Sequence, residues 1–353
     1  EVQYYWEDLD KDGTSEKIIS YKNSFQNHSI QVFDNKGGIY DQWNFPGGLL
    51  QRGHRLCVAN IDNDSYKEIY VFSEDSCYLV LSCIEPLDTN NSIEFIAKKI
   101  CLLCNEWGPP DCGISDFFQE DLTGAGRGDL CFTVNSGYSK QPRQIFIYDP
   151  FNDKFITSAP SGTSYAKISL FDLDDDGKME ILCNINACGN VADTLGIPYS
   201  DYSAWLKLYD SKLRLLFPPI EFPGFRSSIQ SIPMKRNDTT YILVLFNHTG
   251  PQDLAPKLML YTTEGKLIQE RQIENASKNN RALIAADNGF YIFTATESLS
   301  VFNNNLCPIQ KTQLIIGREV ILKLMDLDKD GDEEFLFIKP DKHEMIIYRD
   351  NFN

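Results

Sequence analysis

An all-β chain built from repeated four-stranded antiparallel units is what this sequence predicts, on three observations. Short apolar runs are regularly spaced, and no convincing amphipathic helix interrupts them. A nine-residue acidic pattern recurs between pairs of those runs. The whole scheme returns about every fifty residues, giving seven units in 353 residues.

The clearest acidic copy is Asp172-Leu-Asp-Asp-Asp-Gly-Lys-Met-Glu180, between the apolar runs Tyr165–Phe171 and Ile181–Ile185. Asp172, Asp174, Asp176 and Glu180 stand at positions one, three, five and nine. A hard divalent cation takes about six to eight oxygens, and alternate carboxylates converge on one only if the backbone curls tightly. Gly177, at position six, supplies the dihedrals for that curl. Two further copies keep every oxygen position: Asp8, Asp10, Asp12 and Glu16 around Gly13, and Asp326, Asp328, Asp330 and Glu334 around Gly331. Asn60, Asp62, Asp64 and Glu68 keep the spacing with Asn first and Ser65 in place of Gly. Asp121, Thr123 and Asp129 form a thinner copy, in which Ala125 offers nothing at position five.

Each unit reads alike. A first strand enters the turn and a second leaves it, at Lys17–Tyr21, Ile69–Phe72, Leu130–Val134, Ile181–Ile185 and Phe335–Ile338. Third strands, several ending on an aromatic, follow at Ile30–Phe33, Tyr78–Leu81, Ile145–Tyr148, Leu206–Tyr209, Leu258–Tyr261, Leu299–Phe302 and Met345–Tyr348. Turns such as Asn35-Lys-Gly-Gly38 and Thr263-Glu-Gly-Lys266 open hairpins into fourth strands. Units five and six replace the acidic pattern with plain polar turns, Arg236-Asn-Asp-Thr-Thr240 and Asp287-Asn-Gly289.

Seven such units predict one seven-bladed β-propeller with four-stranded antiparallel blades. The blades fall near residues 1–53, 54–113, 114–164, 165–226, 227–279, 280–318 and 319–353. The alternative is an elongated β-solenoid, whose coils are normally shorter. The last unit stops at Tyr348-Arg-Asp-Asn-Phe-Asn353, one strand short. Either the chain continues past Asn353 toward a membrane anchor, which is the expectation, or the ring closes with an incomplete last blade.

A net charge of −17, from 50 acidic against 33 basic residues, argues against nucleic acid and against an anionic membrane surface. Four Ca²⁺ ions would bring that charge to about −9 and relieve the repulsion. No apolar run reaches the roughly 18–20 residues of a membrane helix. No signal peptide is visible, so the sequence reads as a mature or trimmed form. Calcium turns fill readily where the ion is abundant, which favours an extracytoplasmic, periplasmic or cell-surface, address.

Cys57, Cys131 and Cys183 fall in predicted strands as small buried hydrophobes. Cys101, Cys104 and Cys112 gather around a loop and leave open plain packing, a local disulfide, or a redox or zinc role. The longest second-to-third and fourth-to-first connections hold Trp107, Tyr138, Arg143, Tyr199, Asp201 and Tyr202. Together these could form an aromatic patch for a glycan, peptide or protein, or simply pack the loops down. His28, His248 and His343 fall in or beside connections on the same side, while His54 stands apart. No catalytic motif is present; paired carboxylates, or a catalytic or metal-binding cluster of those three histidines, remain the enzymatic openings.

With the turns laid out, the chain resembles the FG-GAP or VCBS-type calcium-binding repeat propellers, the class that includes the integrin α-chain head. The matching residues are the turns beginning at Asp8, Asn60, Asp121, Asp172 and Asp326, and the likeness spans the whole chain. The resemblance implies about four structural Ca²⁺ ions, with side-chain oxygens at positions one, three, five and nine. It adds a backbone carbonyl at position seven: Thr14, Tyr66, Lys178 and Asp332. The integrin Phe-Gly and Gly-Ala-Pro words are not kept, which weakens an adhesion reading. Propellers of this style look similar to the periplasmic sensor regions of membrane-bound histidine kinases and to surface lipoproteins. The resemblance thus implies a non-enzymatic sensor ectodomain, with a glycan-binding or adhesive lipoprotein, or a polysaccharide lyase, as alternatives.

Overall fold

The computed structural model describes residues 2–22, 28–45, 47–50, 52–53, 55–61, 64–75, 78–85, 97–102, 112–136, 143–189, 197–250, 254–273, 282–285, 291–295, 298–313, 321–327, 334–339 and 344–348. Every regular element among them is a strand. The first sheet runs β1 (Gln3–Glu7), β2 (Glu16–Lys22), β3 (His28–Phe33) and β4 (Ile39–Phe45). After the short β5 (Arg52–Gly53), the second runs β6 (Leu56–Ala59), β7 (Glu68–Asp75), β8 (Tyr78–Ile84) and β9 (Ala97–Leu102). The third runs β10 (Cys112–Glu120), β11 (Asp129–Ser136), β12 (Arg143–Asp149) and β13 (Lys154–Thr157), with β5 added parallel to β10.

The fourth sheet is β14 (Ser164–Phe171), β15 (Glu180–Asn186), β16 (Ser203–Tyr209) and β17 (Ile220–Pro223). The fifth is β18 (Ser227–Arg236), β19 (Thr239–His248), β20 (Lys257–Thr262) and β21 (Leu267–Gln272). The sixth is β22 (Ala282–Ala285), β23 (Tyr291–Ala295), β24 (Ser298–Phe302) and β25 (Pro308–Gln313). The last holds β26 (Ile321–Met325), β27 (Glu334–Lys339) and β28 (Glu344–Tyr348). Strands that follow one another in a sheet pair antiparallel.

The second strands β7, β15 and β19 are buried along most of their length because both of their faces are covered. Side chains alternate across a strand, so neighbouring residues enter different layers. Ile69 and Val71 of β7 pack back on Ile18, Ile30 and Val32 of the first sheet. Tyr70 and Phe72 pack forward on Ile114, Phe132 and Phe146 of the third. The same split recurs in β15, where Ile181 and Cys183 face the third sheet and Leu182 faces the fifth. In β19, Ile242 and Val244 face the fourth sheet while Leu243 and Leu245 face the sixth. Each such side chain contributes about 1.5–3 kcal/mol on burial. Rings reinforce the second layer, where Phe132 stacks on Phe146 at 5.6 Å and meets Phe72 edge-on at 5.1 Å.

The two ends of the series differ from the middle. Tyr4 and Trp6 of β1 are stacked on each other at 6.1 Å, on the face away from the second sheet, and are 53% and 60% exposed. Met345 and Ile347 of β28 are likewise exposed.

Polar clips join one sheet to the next. Asn135, at the end of β11, accepts from the Tyr165 N–H at 2.8 Å and donates to the Tyr165 carbonyl at 2.7 Å, as a strand neighbour would. Asp116 of β10 accepts from the Ile168 N–H at 2.8 Å. Asn186, at the end of β15, accepts from the Ile229 N–H at 3.1 Å. Cys131 and Cys183 are fully buried free thiols, and burial pushes both up. Cys57 and Cys112 also pack in the core, whereas the Cys101 side chain and Cys104 lie outside the described residues.

Candidate functional site

The first-to-second-strand turns share one hydrogen-bond scheme. The carboxylate at position nine is buried at the mouth of the second strand and accepts from the N–H at position two. Glu16 does so from Leu9 at 2.8 Å, Glu68 from Ile61 at 2.9 Å, Glu180 from Leu173 at 2.9 Å and Glu334 from Leu327 at 2.8 Å. Position five accepts from the N–H at position seven: Asp12 from Thr14, Asp64 from Tyr66 and Asp176 from Lys178. Position one gathers the N–H groups beyond it. Asp8 takes Gly13 at 3.0 Å, and Asp172 takes Asp176 and Gly177 at 3.0 and 2.9 Å. The curl needs two left-handed residues, Lys11 and Gly13 in the first turn and Asp175 and Gly177 in the fourth.

Three carboxylates converge in each of two turns. Oxygens of Asp8, Asp10 and Glu16 lie within 4.8 Å of one another, as do those of Asp172, Asp174 and Glu180. Burial first, and then the neighbouring carboxylates, push Glu16 and Glu180 above the usual carboxylate range, while the position-two N–H pulls the other way. Asp8 Oδ1 is buried with no hydrogen-bond partner. Crowded carboxylates and an orphaned oxygen fit a hard cation. Asp12 and Asp176, expected as ligands, are exposed and stand outside these triads; Asp176 pairs with Lys178 instead.

The other turns are less complete. In the third, Asp129 is buried on the Thr123 N–H at 2.7 Å while Asp121 and Thr123 are exposed. Burial is the main force raising Asp129. Asp326 of the last turn is exposed; Asp328, Asp330 and Asp332, like Asp62 of the second turn, lie outside the described residues. At the head of the second turn the Asn60 amide points its nitrogen at the carbonyls of Asp64 and Tyr66.

Antiparallel pairing puts the second-to-third and fourth-to-first connections on the opposite edge of each sheet. There Tyr202 is 48% exposed, with its ring 6.0 Å from that of Phe225. The Arg226 guanidinium lies 5.3 Å from the Phe225 centroid. Tyr199 and Arg226 both adopt left-handed backbones, with φ of 64° and 65°, which bulky residues hold only under constraint. The constraint is visible: the N–H groups of Cys188 and Gly189 both donate to the Asp201 carbonyl at 3.0 Å. A Cβ on Gly189 would stand 2.3 Å from the Phe225 ring, so only glycine fits there.

Arg143 and Asp201 correct the sequence reading. Neither presents its charge to a ligand, because they are 3% and 1% exposed. The Arg143 guanidinium lies 3.9 Å from the Asp201 carboxylate, donates to Cys188 Sγ at 3.0 Å and also reaches the Gly162 carbonyl. The long connections fold back over the sheet, and charges carried inside persist only as pairs. Trp107 and Tyr138 lie outside the described residues, as do His54 and His343. His28 accepts from the Leu49 N–H at 2.8 Å and is pushed down by burial, then by Lys22 and Arg55. His248 is fully buried at the end of β19.

Sequence reasoning missed Lys207. It sits fully buried on β16, with Nζ 3.8 Å from the Tyr199 ring centroid, 5.7 Å from that of Tyr165, and 3.2 Å from Ser161 Oγ. Burial pushes this amine down to about 7. The signal was its register, since Leu206-Lys207-Leu208-Tyr209 matches Leu258-Met259-Leu260-Tyr261, where the equivalent residue is apolar. Phe225 and Arg226 carried no motif at all.

The geometry defines an all-β protein of successive antiparallel sheets with acidic turns along one edge. No family model matches the chain, and no curated protein does. Similar solved structures include BBS1N in complex with ARL6DN. The lead-soaked crystal aligns at 12% identity with a TM-score of 0.44, over 99% of this chain and 92% of that one. The mercury-soaked crystal gives 12% and 0.42, over 98% and 90%. The V. cholerae biofilm matrix protein Bap1 aligns at 10% identity and a TM-score of 0.37, over 99% and 80%. No helix among the described residues is long and apolar enough to cross a membrane.

Proposed function

We propose that this chain is a seven-bladed β-propeller, stapled by Ca²⁺ in its acidic turns, that recognises a ligand through the opposite face. Closure is supported by the exposed apolar faces of β1 and β28, which stand at the two ends of a series whose second to fifth sheets are covered on both sides. In the first turn Asp8, Asp10 and Glu16 would hold the ion, and in the fourth Asp172, Asp174 and Glu180. Bound there, the cation neutralises carboxylates whose repulsion otherwise loosens the turn. The role is that of a non-enzymatic, extracytoplasmic recognition module, in its most specific form the sensor region of a membrane-bound receptor.

The observation that carries recognition is the platform of Tyr202, Phe225 and Arg226, two rings and a guanidinium on a constrained backbone. An exposed Tyr202 ring beside a half-buried Phe225 also suits a sugar face, which favours a glycan-binding surface protein as the second reading. The test is a glycan and peptide array probed with wild type and Tyr202→Ala. Binding of any hit should fall about tenfold with the melting temperature unchanged. A large loss of stability with binding retained would make Tyr202 a packing residue and remove the platform.

A further inference from the structure

Arg226 stands at the edge of the ring platform with its side chain exposed. Among the described residues no carboxylate pairs with it. Two other arginines of the same region are neutralised: Arg143 lies 3.9 Å from Asp201, and Arg214 lies 2.6 Å from Asp210. The carboxylates that flank Tyr202 and Phe225 in sequence are engaged elsewhere. Asp201 is buried beside Arg143, and Glu221 accepts from Ser203 Oγ at 2.6 Å. A chain with 50 acidic residues thus leaves this guanidinium to the solvent.

Its position is fixed by the backbone. The left-handed φ of 65° costs a residue such as arginine on the order of 1 kcal/mol or more. Contacts on both sides hold it there. The Arg226 carbonyl accepts from the Thr249 N–H at 3.3 Å, and the Ser227 N–H donates to the Gly224 carbonyl at 3.0 Å. A Cβ on Gly250 would stand 2.2 Å from the Phe225 carbonyl, so the two connections lie directly against each other. The guanidinium is then kept 5.3 Å from the centroid of the Phe225 ring.

A guanidinium offers paired N–H donors that match two oxygens of a carboxylate or a sulfate. Beside it the exposed Tyr202 ring offers a flat apolar surface, with Phe225 at 6.0 Å. A ligand that uses both needs an apolar C–H face next to an anionic group. The net charge of −17 repels a polyanion as a whole, so the anionic group has to be an isolated one. We infer that the platform of Tyr202, Phe225 and Arg226 takes a sugar bearing a single anionic group, its face toward Tyr202 and its anionic oxygens on Arg226. The inference rests on the reading that this platform recognises a ligand, and it adds the chemical class.

A glycan array carrying each sugar in neutral, carboxylated and sulfated form, with acidic peptides alongside, tests this. Hits should be confined to sugars with one anionic group and should weaken as further charges are added. On such a hit, Arg226→Asn, which tolerates the left-handed backbone, should lower affinity about tenfold at an unchanged melting temperature. Arg226→Lys keeps the charge without the fork and should fall between the two. Removing the anionic group from the sugar should cost wild type the same factor and Arg226→Asn nothing. Hits on neutral sugars alone, hits on acidic peptides alone, or an affinity untouched by Arg226→Asn in the folded protein would overturn the inference. The two failures separate: if Tyr202→Ala weakens binding and Arg226→Asn does not, the platform stands without its charge. If neither does, or if the array gives no hit, the platform falls too.

Discussion

The fourth and fifth sheets solve the same problem by opposite means. Both join a first strand to an apolar second strand, and both pack against each other through Leu182, Leu206, Ile242 and Val244. The fourth closes its hairpin with the eight residues between the paired Phe171 and Glu180, and the carboxylates of Asp172, Asp174 and Glu180 gather within 4.8 Å of one another. The fifth needs only Asn237 and Asp238, both with positive φ (50° and 57°), between the paired residues Arg236 and Thr239. That is the two-residue turn whose twist suits antiparallel strands, and it needs no ion. Lys235 of the fifth even reaches across to Asp175 of the fourth at 3.2 Å. The interleaved strands carry the sheet, and the turn is free to vary in chemistry.

The sheets differ again in their third strands, and this difference gives the largest expected effect. Lys207→Met installs in the fourth sheet the residue that the fifth carries at Met259. The folded chain holds this amine at about 7 against an ordinary 10.5, so the unfolded chain binds the proton more tightly. Stability should therefore rise with pH between those values in wild type. The variant should be more stable by on the order of 3 kcal/mol below pH 7, the gain shrinking toward pH 10.5. Denaturant melts across that range would check it, and a pH-independent difference would remove the buried-ammonium account.

Next in size is the effect of the Ca²⁺ proposed for the fourth turn. Asp174→Ala should cost about 2 kcal/mol in saturating Ca²⁺ and abolish most of the response of that turn to chelator. Calorimetry with and without chelator measures this, and an equal loss on Asp238→Ala would erase the distinction between the two turns. The smallest effect belongs to the fifth sheet. Asp238→Gly relieves a left-handed aspartate and should stabilise by about half a kcal/mol, alike with and without calcium. A calcium-dependent gain would show that the two turns are not independent.

Much of this was legible in the sequence because the second strands are apolar at successive positions and the turns repeat a fixed spacing. Leu130–Val134 and Ile181–Ile185 announce two-sided burial, and Gly177 announces a left-handed turn. The convergence of positions one, three and nine was legible too. That Asp12 and Asp176 stand outside the two triads was not, because spacing does not say which way an exposed carboxylate turns. Arg143 and Asp201 were read as loop residues because nothing local distinguishes a charged residue facing a ligand from one paired beneath a folded-back loop. Lys207 alternates with leucines as a surface residue would; only the covering of both faces puts it inside. Asn135 and Asn186 directly follow the predicted strands Leu130–Val134 and Ile181–Ile185, and their reach into the following sheet lies outside any local pattern.

Those asparagines give the series a direction. Asn135, Asp116 and Asn186 each offer a side chain to the backbone of a sheet encoded later in the chain. During synthesis, every such group exists before the segment it will hold, so a newly made sheet meets a prepared edge.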